Sequence, residues 1–388
     1  MRVVVDARSA LDPRRTGVGR YTRALLRHVP RADPETSYTA WYLDVRGIGS
    51  ASGRFTGWAP NLGEKATRLP TRLFGPVSLR AGVPRLEWLA GGSDVVFAPN
   101  FLPPPTSASR TVLVVHDLAF DVMPETAPHQ DARWRRRFDR ALMRAAAVIV
   151  PSEAARADLV GFSRVDADRI HVVPHGTDAE ALSPVGPIEV EDARRRFGIP
   201  GPYVVFVGGL EPRKNIEALV RAFGMLDDAR CHLVLVGGTV PWAKGYAERV
   251  DRTIQELPRG VAERVVRTGY VSDPDRRALL SGAEVLAYPS LYEGFGFPIL
   301  EGFAANVPVL TSDRSAMPET AGDAALLVDP GDPSSIAAGL SELLGDDDLR
   351  NVLRAAGTAR VASLTWERCA RATVAVIHRT PIAPVDAE

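Results

Sequence analysis

The 388-residue chain contains two cysteines, Cys231 and Cys369. They lie far apart and without zinc-ligand spacing, which argues against a disulfide framework and a structural metal. Long apolar runs are also missing: no uninterrupted stretch approaches the roughly 20 residues that a membrane-spanning helix needs. The chain enters directly into an apolar strand, Arg2-Val-Val-Val-Asp6, with no charged and apolar leader ahead of it, so the protein is expected in the cytoplasm. Zinc fingers, base-stacking aromatic motifs and dense basic tails are absent, so nucleic acid is not expected as a partner. Excess charge of either sign is absent as well, with 47 Lys+Arg against 47 Asp+Glu.

That balance conceals an asymmetry. Residues 1–180 hold 25 Lys+Arg against 19 Asp+Glu, or +6, and the remainder holds 22 against 28, or −6. An anionic partner would therefore meet the first half. Gln130 to Arg144 reads as a helix with Trp134, Phe138 and Leu142 on one stripe, the spacing of a core-facing side. Arg133, Arg135, Arg136, Arg137, Arg140 and Arg144 occupy the rest, as a solvated face or as a contact for anionic lipid or a charged acceptor. A peripheral position at the inner face of a membrane is compatible with this.

A chain of this length exceeds one comfortable core and implies two domains. The polar stretch 179–201, punctuated by Pro184, Pro187, Pro200 and Pro202, marks the break. The expected limits are 1–183, 184–365 and a final helical segment 366–380. In each half short apolar strands alternate with helical segments, which predicts doubly wound parallel sheets, an α/β architecture. Residues 54–92 lack a usable period and fit loop or short helices equally.

Candidate chemistry lies at strand ends. Thr16-Gly-Val-Gly-Arg-Tyr21 follows the first strand, and a glycine turn opening a helix can hold a phosphate or sugar on backbone N–H groups. The spacing is not the dinucleotide G-x-G-x-x-G. His116 closes a second strand, Thr111 to His116, where open sheets present ligands, although a lone histidine is equally a packing residue. Tyr203-Val-Val-Phe-Val-Gly-Gly-Leu-Glu-Pro-Arg-Lys-Asn215 gives strand, glycine turn and two cations before a helix. That is a cradle for a diphosphate, with Arg213 and Lys214 as neutralising charges and Gly208 in the turn. Tyr288-Pro-Ser-Leu-Tyr-Glu-Gly-Phe-Gly-Phe-Pro-Ile-Leu-Glu301 brings Glu293 and Glu301 to either side of Gly294, Phe295 and Gly296, with Pro298 opening a helix. Both carboxylates could face one ligand. Read separately, they are a loop glutamate and a helix-start glutamate.

These last two stretches, with the strand Ala305 to Thr311 that follows, closely resemble the signature of glycosyltransferase family 4, retaining enzymes of the GT-B fold. The resemblance implies two Rossmann-like domains facing a central cleft, the last helix crossing back to the first domain, and a nucleotide-diphosphate sugar as substrate. It implies that Gly17 and Gly19 lie beside donor and acceptor, that His116 touches the donor sugar and that Glu293 holds one of its hydroxyls. It also implies that Glu301 holds the ribose and that main-chain groups near Val271 meet the nucleobase. The motifs resemble those of bacterial mannosyltransferases, so GDP-mannose is the favoured donor and a saccharide, glycolipid or other small hydroxyl compound the acceptor. Many members carry an arginine directly after the first glycine, where this chain has Gly209, and Arg213 is the residue able to replace that charge. No cofactor or metal is expected, since no Asp-x-Asp motif is suited to Mg²⁺, and no carboxylate is evident as a nucleophile. A sugar-nucleotide epimerase of the same architecture and a nucleotide-sugar binding protein without turnover are the competing readings.

Overall fold

A computed structural model describes residues 1–11, 17–44, 53–67, 84–106, 110–127 and 130–379. They form two units. One comprises the described residues up to Leu118, Gln130–Gly176 and the final helix from Trp366; the other comprises the segment starting at Ala119 and residues Thr177–Thr365.

The first unit is built on seven parallel strands, β1 (Arg2–Asp6), β2 (Ser37–Leu43), β3 (Leu62–Thr67), β4 (Val95–Ala98), β5 (Thr111–Val114), β6 (Ala147–Val150) and β7 (Ile170–Val172), in the order β3-β2-β1-β4-β5-β6-β7. The strand residues Val3, Val4, Val5, Val148, Ile149 and Val150 are all buried, as expected where helices cover both faces of a parallel sheet. Strand order reverses beside β1, which makes its C-terminal end and that of β4 the place where such sheets take ligands. Two corrections arise here. The segment expected as loop or short helices does contain the short helix Leu86–Ala90, but it also contains a strand, β3, while 68–83 lie outside the described residues. The expected glycine turn is helical from Gly17, the first residue of the helix Gly17–Ala32, so Gly17 and Gly19 sit in its first turn; Thr16 lies outside the described residues.

The final helix, Trp366–Arg379, packs on the helix Gly17–Ala32. Its buried side includes Trp366, Cys369, Ala370, Thr373 and Ile377. Polar contacts tie both ends: Glu367 reaches His28 at 3.2 Å, and His378 reaches Asp33 at 2.7 Å.

The second unit is built on six parallel strands, β8 (Tyr203–Val207), β9 (His232–Val236), β10 (Val265–Gly269), β11 (Val285–Tyr288), β12 (Val309–Ser312) and β13 (Ala325–Val328), in the order β10-β9-β8-β11-β12-β13. Here the order reverses between β8 and β11, whose C-terminal loops are the two stretches singled out in the sequence. Phe206, Phe223, Leu286, Ile299, Leu310 and Leu340 belong to its core. The presumed linker holds a further helix, Pro187–Phe197, with proline in its first turn and Gly198 closing it at φ 68°. Ala193 joins the core of the unit and Phe197 packs against it, but Ala193 is the helix's one buried residue and Ile188 is 75% exposed, so its sequence carries little apolar pattern.

Candidate active site

At the switch point of the second sheet, the loop after β8 meets the loop after β11. Gly208 is glycine for a reason of space: a Cβ there would lie 3.1 Å from Lys214 Nζ and 3.2 Å from the Phe206 ring. Gly237 approaches more closely still, since a Cβ would fall 1.9 Å from the Gly208 carbonyl oxygen. A Cβ at Gly209 would lie 2.7 Å from Val240 Cγ1, so a side chain there would require Val240 to shift. Pro212–Lys214 form one 3-10 turn, closed by Asn215 at φ 59°. The Asn215 amide then donates to the Pro289 carbonyl at 3.1 Å and the Pro330 carbonyl at 2.6 Å. This pins the cationic turn to the β11 loop, as does the bond from Leu291 N–H to the Arg213 carbonyl at 2.7 Å.

The side chains converge on Glu293. Arg213 Nη1 lies 2.5 Å from its Oε2, Tyr288 Oη donates to its Oε1 at 2.5 Å, and Lys214 Nζ stands 3.7 Å from that same oxygen. A second carboxylate, Glu211, accepts from Arg213 Nη2 at 2.9 Å, lies 3.6 Å from Lys214 Nζ, and accepts from the Trp242 indole at 3.3 Å. Glu293 and Glu211 are both buried. The cluster therefore holds two cations and two carboxylates, formally neutral and shielded from water. Burial alone would raise the Glu293 carboxyl, but Arg213 and then Lys214 outweigh it and hold the group at about 2. Burial likewise works against the Lys214 ammonium, and Tyr288 and Glu293 reverse this, so its affinity for the proton is raised.

Beyond Glu293 the chain turns through Gly294 and Phe295 to Gly296, whose φ of 96° is left-handed, and into the helix Phe297–Ala304 with Pro298 in its first turn. Phe295 and Phe297 meet edge to face at 5.5 Å, and Thr320 donates to the Phe295 carbonyl. Glu301 is buried one turn into the helix and is paired with Arg276, from the helix Asp273–Ser281. The two glutamates thus have separate cationic partners. Val271 follows β10, half-buried, on the far side of β9 from β8.

In the first unit His116 is buried. Its Nε2 stands 2.9 Å from the Pro99 carbonyl and its Nδ1 3.4 Å from His175 Nε2. A carbonyl only accepts, so Nε2 carries the proton and, in the neutral ring, Nδ1 accepts from His175. Tyr21 lies edge-on to His116 at 4.9 Å. Burial lowers His116 to about 4, against a smaller opposing effect of the Pro99 carbonyl, and burial followed by His116 depresses His175 further. Both ring nitrogens of His116 are thereby engaged inside its own unit.

Of the residues expected from sequence, Arg213, Lys214, Gly208, Glu293 and the Gly294–Gly296 turn come together. Glu301 belongs to the same unit with its own partner, and Gly17, Gly19 and His116 belong to the first. Sequence reasoning missed Glu211, Tyr288, Trp242 and His175. Glu211 stood in plain view, since a carboxylate two residues before an Arg-Lys pair in one turn is placed to orient both.

A family model described as Glycosyltransferase Family 4 matches residues 15–181, and one described as Glycosyl transferases group 1 matches residues 201–346. The chain is 29% identical over 371 residues to the O-antigen chain mannosyltransferase B of Escherichia coli, covering 92% of this chain and 95% of that protein. It is 25% identical over 272 residues to the serotype-specific mannosyltransferase WbdA of the same organism, covering 68% of this chain but 33% of that protein. In structure it matches a sucrose-phosphate synthase from Thermosynechococcus elongatus with a TM-score of 0.75 at 22% identity, over 98% of each chain. Two parallel-sheet units of Rossmann type, each matched in sequence by a glycosyltransferase model, assign the chain to glycosyltransferase family 4, with the GT-B fold.

Proposed function

We propose that the protein transfers mannose from GDP-mannose to a hydroxyl of a saccharide or glycolipid, with retention at the anomeric carbon. The observation that carries this reading is the half-buried Arg213–Lys214 pair at the switch point of the second sheet, where the diphosphate would lie. The mannosyl preference is supported by the relatives named as mannosyltransferases. As the bond from the anomeric carbon to phosphate breaks, its electron pair goes to the diphosphate, and Arg213, Lys214 and the N–H groups near Gly294–Gly296 stabilise the charge. The acceptor oxygen attacks the same face of an oxocarbenium-like sugar, and its proton passes to the departing phosphate. We assign Glu293 to a sugar hydroxyl, Glu301 to the ribose, main-chain groups near Val271 to the base, and Gly17, Gly19 and His116 to the acceptor-side unit.

With two protein cations at the diphosphate, no divalent metal is required. Transfer should persist in excess chelator, and loss restored by Mg²⁺ would refute this point. The central test is a donor panel of GDP, UDP and ADP sugars read by thermal shift. A ligand at about a hundred times its Kd stabilises the fold by about 2.7 kcal/mol. Selective stabilisation by GDP-mannose, with nucleotide released only when an acceptor is added, is the expected result. Tight donor binding without transfer across a broad acceptor panel would instead favour a binding protein.

A further inference from the structure

Tyr288 ends β11 and is fully buried. Its hydroxyl donates to Glu293 Oε1 at 2.5 Å and receives a bond from Lys214 Nζ at 3.0 Å. The direction of both bonds is forced: an ammonium has nothing to accept with and an ionised carboxylate nothing to donate. The one phenolic proton therefore points at Glu293, and an oxygen lone pair at Lys214. Lys214 itself stands 3.7 Å from Glu293 Oε1, beyond hydrogen-bond reach, so the hydroxyl is the short link between them. The ring is fixed independently. It stacks on Phe206 at 6.0 Å and 21°, Lys214 Nζ lies 5.3 Å from its centroid, and Thr311 donates to the Tyr288 carbonyl at 2.9 Å. Phenylalanine would fill the same ring volume, so packing does not account for the hydroxyl.

We propose that Tyr288 is a positioning residue for the transfer reaction: its hydroxyl, bonded to Glu293 on one side and Lys214 on the other, fixes the carboxylate that meets the donor sugar relative to the cation that meets the diphosphate. This rests on the glycosyltransferase reading of the site and adds to it a residue that touches neither sugar nor phosphate. Arg213 holds one oxygen of Glu293 and Tyr288 the other, so the carboxylate plane is defined by two short contacts, one from the loop after β8 and one from β11 itself. Without the hydroxyl, one oxygen loses its hydrogen bond and the carboxylate can turn about its last torsion.

The titratable groups facing Glu293 and its cations are Arg213, Lys214 and Glu211 from the loop after β8, and Tyr288 from β11. The Tyr288 bond is one of the influences that hold Glu293 low. Its removal raises the carboxyl's affinity for the proton, and the acid limb of activity should move to higher pH.

The test is Tyr288→Phe in the full-length protein, with kcat, donor KM and the pH profile measured against wild type. The expected result is a fall of at least about tenfold in kcat, donor KM within about threefold, and an acid limb raised by about one pH unit. A folded variant with unchanged kcat and an unmoved limb overturns the proposal. Fluorotyrosine installed at 288 alone keeps the hydroxyl and makes it a stronger donor, so its acid limb should move the opposite way; an unmoved limb there also counts against the idea. If the wild-type protein transfers no sugar from any nucleotide sugar, it is the functional reading that fails. The Glu293 carboxyl carbon resonance then decides the positioning claim alone: titration at higher pH in Tyr288→Phe supports it, and identical titration overturns it.

Discussion

Replacing Glu293 by glutamine removes one negative charge from a group of four that sums to zero, two carboxylates buried and two cations half-buried, and it keeps the side chain's shape. The carboxyl sits at about 2 against an ordinary 4.5, because Arg213 and Lys214 overcome the effect of burial. At about 1.36 kcal/mol per pH unit, the ionised group contributes roughly 3 kcal/mol to the folded chain at neutral pH. The carboxyl holds its proton less readily folded than unfolded, so this contribution is complete above about pH 4.5 and disappears as pH falls through about 2. Glutamine lacks it at every pH. For a unit of this size the loss corresponds to a Tm lower by about 6 to 12 °C at pH 7, with the gap from wild type narrowing as the medium is acidified. Chemistry should suffer separately. The group we assign to a sugar hydroxyl gains importance as the sugar becomes electron-poor, so kcat should fall about a hundredfold, or about 2.7 kcal/mol, with a smaller change in donor KM. Thermal scans at two pH values and steady-state kinetics read both effects. A variant within about 1 °C of wild type at pH 7 that also keeps its kcat would refute the charge argument and the catalytic assignment together.

Lys214→Ala should cost roughly 2 to 4 kcal/mol in kcat/KM, because the same charge meets the diphosphate before and during departure; an unchanged value would reduce Lys214 to a structural partner of Glu211 and Tyr288. Glu301→Ala should chiefly raise donor KM, since the ribose undergoes no chemical change. Loss of turnover at saturating donor would contradict that assignment. The helix Ala132–Arg144 leaves Arg133, Arg136, Arg137, Arg140 and Arg144 exposed, and reversible sedimentation with anionic vesicles, weakened by salt, is the expected outcome. Sedimentation indifferent to salt and to anionic lipid would remove the membrane hypothesis. Among the described residues no helix is long and apolar enough to cross a membrane.

The parts of this fold that were legible in sequence are those where local pattern and position agree. Val204 to Val207 and Val285 to Tyr288 are apolar runs that end in glycine- or proline-bearing loops, and β8 and β11 lie there. Leu62 to Thr67 was not legible: it is an edge strand with a polar, half-exposed sequence, so no apolar period marks it. Pro187 to Phe197 is not legible because, in sequence, a proline that opens a helix looks the same as one that interrupts the chain. At the site, single residue types announced the cations and the glutamates, but not their pairing. Arg213 and Glu293 are brought together by adjacency of β8 and β11, a property of strand order that no local window contains. For the same reason Tyr288 is, in sequence, no more than the last residue of a strand; the neighbour that gives its hydroxyl a role, Lys214, comes from the loop after β8.

The first unit is assembled from separated lengths of chain, and its last piece, Trp366–Arg379, follows the entire second unit in sequence. During synthesis the helix Gly17–Ala32 emerges well before the partner that covers it, with the main stretch of the second unit made between them. At about 5 to 20 residues per second, some tens of seconds separate the two. Through that interval the docking side of the early helix is uncovered and Asp33 lacks His378. The second unit, by contrast, has nearly all its strands and helices in one continuous stretch. The order of completion is therefore inverted relative to the order of translation: the unit begun first is closed last, and a chain interrupted before Trp366 carries a finished second unit and an unfinished first one.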